Sequence, residues 1–123
     1  MSQHALPEDV QELVRRYIHS VAQLEALLLI RRSPDQRWDP EQLARALYTS
    51  VADVGDALTS LTRDGFLQTQ QGTYTLASAP VRRAQVEALS KAYSRHLIAI
   101  TNIIHSKPKG IQAFSDAFRI RKD

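Results

Sequence analysis

Apolar residues recur at steps of three and four along most of the chain, and each run is bounded by a residue that starts or stops a helix. Val10, Leu13, Val14, Tyr17 and Ile18 follow Pro7-Glu8-Asp9, a proline and two acids suited to a first helical turn. Ser20 is placed to cap a second helix, with Gln23 at the capping-box position. That helix carries Val21, Leu24, Leu27, Leu28 and Ile30 and stops at Ser33-Pro34-Asp35. It is apolar on most faces, which predicts a central core helix. Asp39-Pro40-Glu41 opens a third helix through Leu47, and Tyr48-Thr49-Ser50 turns into a fourth with Val54, Ala57, Leu58 and Leu61 inward. Asp64-Gly65 ends it. The pattern then changes to alternation: Phe66 and Leu67, polar residues, a Gln71-Gly72 turn, and Thr73-Tyr74-Thr75-Leu76, which reads as a hairpin. After Ala79-Pro80 a long helix is predicted from about Val81 to about His105, with Val86, Leu89, Tyr93, Leu97, Ile100 and Ile104 in one stripe.

The expected fold class is therefore mainly α: an N-terminal helix (1–19), a three-helix unit with a hairpin (20–77), a long C-terminal helix (78–105) and an amphipathic tail (106–123), all in one domain. The N-terminus MSQHALPEDV lacks a basic segment followed by an apolar run, so no signal peptide is expected. No apolar stretch approaches the roughly 18 to 20 residues that span a bilayer. With no cysteine there is neither a disulfide framework nor a thiolate metal site. A cytoplasmic location suits this composition.

Charge is unevenly placed. Residues 20–77 set five arginines against seven acids, a net −2, whereas residues 78–123 set nine basic residues against three acids, a net +6. The overall +3 is thus C-terminal in origin. A unit carrying −2 is a poor electrostatic match for phosphates.

The order of three helices, a short turn before the third and then a hairpin is that of the winged helix-turn-helix. The matching segments are LEALLLIRRS, DPEQLARAL, SVADVGDALTSLTRDGFLQ and, for the wing, TQQGTYTLA. Leu-Ala-Arg-Ala-Leu followed downstream by Ala-Leu-x-x-Leu-x-x-Asp-Gly-Phe-Leu resembles bacterial MarR-type and related winged-helix regulators over about half the chain. The resemblance implies a transcription regulator that binds double-stranded DNA as a homodimer, with the third helix of the unit as reader. By position, Thr49, Ser50, Val51, Asp53 and Asp56 would lie at the DNA-facing start of that helix and Arg63 near its far end. Gln70, Gln71 and Thr73 would form the wing tip. Arg82 and Arg83, with Lys91, Arg95, Lys107 and Lys109, would be auxiliary phosphate contacts, or else the solvated face and ends of a long helix. The sequence departs from a strong DNA binder in placing Asp53 and Asp56 where phosphates would come and in having no lysine on the reader helix.

A second reading is a non-enzymatic protein-interaction module on the same scaffold, because winged helices also dock proteins. Its candidate surface is the tail, where Ile111, Phe114 and Phe118 fall together and Arg119, Arg121 and Lys122 follow. A protein or membrane-associated partner would suit it, unless the phenylalanines fold back on the core. The stripe Leu89, Tyr93, Leu97, Ile100 and Ile104 is a candidate dimer seam, or it packs on the chain's own N-terminal helix. Trp38 is expected to pack over the start of the third helix, or else to wall a ligand pocket. His4, His19, His96 and His105 have no ligand spacing, and no catalytic or cofactor motif is present, so neither a metal, a cofactor nor an enzyme is expected.

Overall fold

The computed structural model describes residues 6–107. Their order is α1 (Glu8–Tyr17), α2 (Val21–Arg32), α3 (Pro40–Leu47), α4 (Val51–Arg63), β1 (Leu67–Gln70), β2 (Thr73–Leu76) and α5 (Pro80–Ser106). None of these helices is long and apolar enough to cross a membrane.

Three helices, α2, α3 and α4, begin at a side chain that accepts from an orphan amide, whereas α1 and α5 start after Pro7 and Ala79 with no side-chain cap. Ser20 Oγ accepts from the Gln23 amide at 3.1 Å. The reciprocal half of the expected capping box is shifted, however. Gln23 Oε1 accepts from the amide of His19, not Ser20, at 2.6 Å, and its Nε2 donates to the Tyr17 carbonyl at 3.3 Å. Gln23 is the one buried polar residue of the described core, and it ties the end of α1 to the start of α2 across a junction of only three residues. At α3 the box is complete: the Gln42 amide donates to Asp39 Oδ1 at 2.8 Å and the Asp39 amide donates to Gln42 Oε1 at 3.0 Å. Ser50 caps α4 by accepting from the Asp53 amide at 3.0 Å.

α3 ends abruptly because Tyr48 takes a left-handed conformation, φ 55° and ψ 46°. α4 ends at Asp64, and Gly65 at φ +88° turns the chain into β1. The strands pair antiparallel, Leu67 opposite Leu76 and Gln70 opposite Thr73. That register leaves Gln71 and Gly72 as a two-residue loop, both at positive φ, which matches the right-handed twist of the strands. A third short edge is added by Trp38, whose amide donates to the Tyr74 carbonyl at 3.2 Å while its carbonyl accepts from the Tyr74 amide at 2.7 Å. Trp38 is therefore buried as a sheet-edge residue, and its indole nitrogen has no hydrogen-bond partner among the described residues.

One apolar cluster draws on every helix and on the hairpin, with Ile18, Leu24, Leu27, Leu43, Leu58, Leu61, Phe66, Leu89 and Ile104 among its members. Each such side chain contributes about 1.5–3 kcal/mol by leaving water. α5 is not straight: His96, at φ −130° and ψ 37°, breaks the helical run. The bend decides the fate of the apolar stripe. Leu89, Ile100 and Ile104 are 0% exposed within the single chain, packed with Val86 and Ala92 in this core. As placed they line no outer seam. Beyond the bend Leu97 and Ile98 turn outward, Ile98 with 73% exposure, and Tyr93 is half-buried.

Candidate nucleic-acid interface

The third helix of the expected unit is α4, and its outward face can be read residue by residue. Val51, Ala52, Asp53, Asp56, Thr59 and Arg63 are exposed, with Gly55 half-buried between them. Ser50 is exposed, but its hydroxyl is spent on the helix cap. Thr49 is half-buried, and its amide donates to the Ala44 carbonyl at 3.0 Å. From Val51 to Thr62 the helix carries two carboxylates and no cation. Arg63, at the far end, leans on Asp64 through exposed contacts of 3.4 and 3.5 Å. Such a pair is worth at most about 1 kcal/mol and leaves the guanidinium open to a competitor.

Tyr48 stands beside this face with 96% exposure. Sequence patterning passes it over as a turn residue. Its signal is a bulky aromatic at a left-handed helix end, and only the tertiary structure leaves it uncovered by the described residues.

The hairpin tip is uncharged but rich in donors and acceptors. Gln68, Thr69, Gln70 and Gln71 are exposed. Thr73 Oγ1 donates to the Gln70 carbonyl at 2.8 Å, and Thr69 Oγ1 donates to the Thr73 carbonyl at 3.0 Å, so both hydroxyls stiffen the loop. The Trp38–Tyr74 bridge brings Arg37 onto this edge, with its NH1 3.5 Å from Gln70 Oε1. Arg37, Gln68, Thr69, Gln70, Thr73 and Thr75 border a shallow recess of about 310 Å³. Arg37 was not among the expected contacts, because 33 residues separate it from Gln70 and only the bridge joins them.

Two of the C-terminal cations expected to track phosphates are engaged inside the fold. Arg82 lies between two rings, its guanidinium carbon 4.6 Å from the centroid of Tyr17 and 4.6 Å from that of Phe66. Its Nε donates to the Asp64 carbonyl at 2.9 Å and its NH1 to Gln85 Oε1 at 2.8 Å. This is a structural clamp joining α1, the end of α4 and α5. Lys107 likewise caps the C-terminal end of α1, donating from Nζ to the carbonyls of Val14 and Ile18, both at 2.6 Å. A cation at that position also meets the negative end of the helix dipole. The same ammonium lies 2.9 Å from His19 Nδ1, which must be the acceptor because an ammonium has no lone pair. Burial first, and then the Lys107 charge, hold the His19 imidazole below its ordinary pKa.

Arg83 remains exposed with its Nε on the Ala77 carbonyl at 2.8 Å, and Lys91 and Arg95 are exposed on α5. Arg31 binds Glu87 through two bonds of 2.8 and 2.7 Å, which joins α2 to α5. That bond holds the Glu87 carboxyl below the usual carboxylate range.

Two clefts flank these elements. One, of about 600 Å³, runs between the start of α2 and α4 and is lined by residues that include Val21, Ala22, Glu25, Leu47, Asp53 and Asp56. The other, of about 550 Å³, lies between Pro7, Asp9 and Val10 on one side and Ala88, Lys91 and Arg95 on the other. Among the described residues no group of three His, Asp or Glu side chains is placed to hold a metal ion. His4 and the tail candidates Ile111, Phe114 and Phe118 lie outside the described residues. Comparison of the chain with family models, with curated proteins and with solved structures returned no match in any of the three.

Proposed function

We propose that this chain is a winged helix-turn-helix regulator of the bacterial cytoplasm that meets duplex DNA chiefly through its hairpin. The observation carrying this reading is the hairpin edge itself. Gln68, Thr69 and Gln70 at the end of β1 and Gln71 in the stiffened two-residue loop are exposed, and the Trp38 bridge sets Arg37 beside them. Amide and hydroxyl groups with one arginine suit phosphate oxygens and the acceptor-rich minor groove.

The geometry argues for a smaller part for α4 than the family resemblance implies. Asp53 and Asp56 face outward on its first two turns, and the next cation is Arg63. An acid in a groove repels phosphate and finds one useful donor, the amino group of cytosine. Arg82 and Lys107 are withdrawn from the proposed contact set because the fold already uses them. Arg83 stays in it.

Fluorescence anisotropy on random duplex DNA tests the reading. Binding is expected at about 50 mM salt and is expected to fall steeply by about 200 mM. Arg37→Ala should weaken it and lower the salt slope by about 1, as loss of one phosphate contact does. Absence of binding at the lower salt, or an Arg37→Ala variant with unchanged affinity and slope, would sink the proposal.

A further inference from the structure

The cleft between α2 and α4 has an apolar floor and an acidic rim. Val21, Ala22, Leu47 and Ala57 supply the floor, and Glu25, Asp53 and Asp56 supply the rim. Among the described residues no lysine or arginine lines it. Its other end is formed by His19 and Ser20. Lys107 is in contact with this same His19, Nζ to Nδ1 at 2.9 Å, so α5 delivers the chain to the mouth of the cleft. Arg63 and Asp64 act electrostatically on His19 there as well, and the two charges oppose each other.

The sequence that follows Lys107 has the complementary chemistry. Residues 108–123 carry Lys109, Arg119, Arg121 and Lys122 against Asp116 and Asp123, a net +2. Ile111, Phe114 and Phe118 recur at steps of three and four, which puts them on one side of a helical turn pattern. Length also fits. A three-residue linker such as Pro108 to Gly110 can span at most about 10 Å, at roughly 3.3–3.6 Å per residue. The rim of α4 from Asp53 to Ser60 runs about 10 Å at roughly 1.5 Å per residue.

We propose that this cleft is the docking site of the chain's own segment 108–123, with Ile111, Phe114 and Phe118 on the apolar floor and the arginines beside the acidic rim. The segment then lies along α4 and covers the carboxylates that would otherwise face a ligand. The proposal does not rest on DNA binding, and its test contains no DNA.

The chain has no cysteine, so Ser115→Cys gives one attachment point for a nitroxide on the full-length protein. Amide signals of Ala22, Asp53 and Ala57 should lose intensity when the label is paramagnetic. The loss should disappear when Phe114→Ser and Phe118→Ser are added, and should shrink in Asp53→Asn with Asp56→Asn. Those two aspartates are exposed, so their substitution spares the core. A mixture of isotope-labelled protein without nitroxide and unlabelled protein with it should show no loss, which places the segment in its own chain. Undiminished cleft signals, loss centred instead on Val10 and Ala88, loss in the mixed sample, or indifference to the aspartate changes would each overturn the proposal.

Discussion

Truncation of Arg82 is the sharpest check on how the helices are joined. Its guanidinium stacks at 4.6 Å on both Tyr17 and Phe66, and its Nε donates to the carbonyl of Asp64, the C-cap of α4, at 2.9 Å. The residue is half-buried, so a stack is worth about 0.5–1 kcal/mol on each ring. The charged hydrogen bond to the Asp64 carbonyl adds about 1.5–3 kcal/mol. These terms share one group and do not sum fully, so Arg82→Ala should cost about 2–4 kcal/mol. Arg82→Lys keeps the charge but loses the planar stack and the fixed fork, and should recover about half of that. Urea unfolding followed by far-ultraviolet circular dichroism measures both, provided the slope m is unchanged. The thermal midpoint of Arg82→Ala should fall by roughly 10 °C, at about 4 °C or more per kcal/mol for a domain near this size. A double-mutant cycle with Tyr17→Leu should return a coupling of about 0.5–1 kcal/mol. A loss below about 1 kcal/mol for Arg82→Ala, or full stability of Arg82→Lys, would refute the clamp. The same variant separates the clamp from a phosphate contact: measured well below its midpoint, its salt slope on DNA should stay unchanged, where a lost phosphate contact lowers it by about 1.

Other expectations rest on single features. Asp39→Ala removes the carboxylate half of the α3 capping box, leaving the bond from the residue-39 amide to Gln42 Oε1, and should cost about 1 kcal/mol by urea unfolding, with Asp39→Asn nearly neutral. Gly65→Ala should cost about 1–2 kcal/mol from backbone alone, since φ is +88° and the added carbon would meet Arg82 Nε at an ordinary 3.5 Å. Lowering of the His19 pKa means the unfolded chain binds that proton more readily, so stability fully present above the ordinary value of 6.5 is lost as pH falls below it and through the lowered value of the folded chain. Lys107→Met should raise the His19 pKa in an NMR titration, and an unmoved value would show that the ammonium has no part in the shift. Arg31→Ala should cost no more than about 1 kcal/mol, because the Glu87 pair is largely solvated, and should bring the Glu87 titration back up toward its ordinary range.

The sequence by itself determined the elements of this protein. Ser20, Asp39-Pro40 and Ser50 start helices because their side chains or ring meet the needs of free amides. Gly65 and Gln71-Gly72 turn the chain because of the positive φ values required there. Periods of three and four, then of two, marked which residues would go inward. All of these are local effects, acting within about four residues.

Tertiary structure alone decided which charges and apolar residues are available to a partner. Arg82 and Lys107 look like surface cations in the sequence. They became a clamp and a cap because α5 folds back across α1, 65 and more residues away along the chain. The stripe of α5 was equally legible as a seam or as core. Packing against α1 and the bend at His96 assigned Leu89, Ile100 and Ile104 inward and Leu97 outward. Arg37 reached the hairpin through one backbone bridge that no periodicity encodes. Local patterning reports how a residue suits its own turn of helix, whereas its availability depends on what the rest of the chain brings against it.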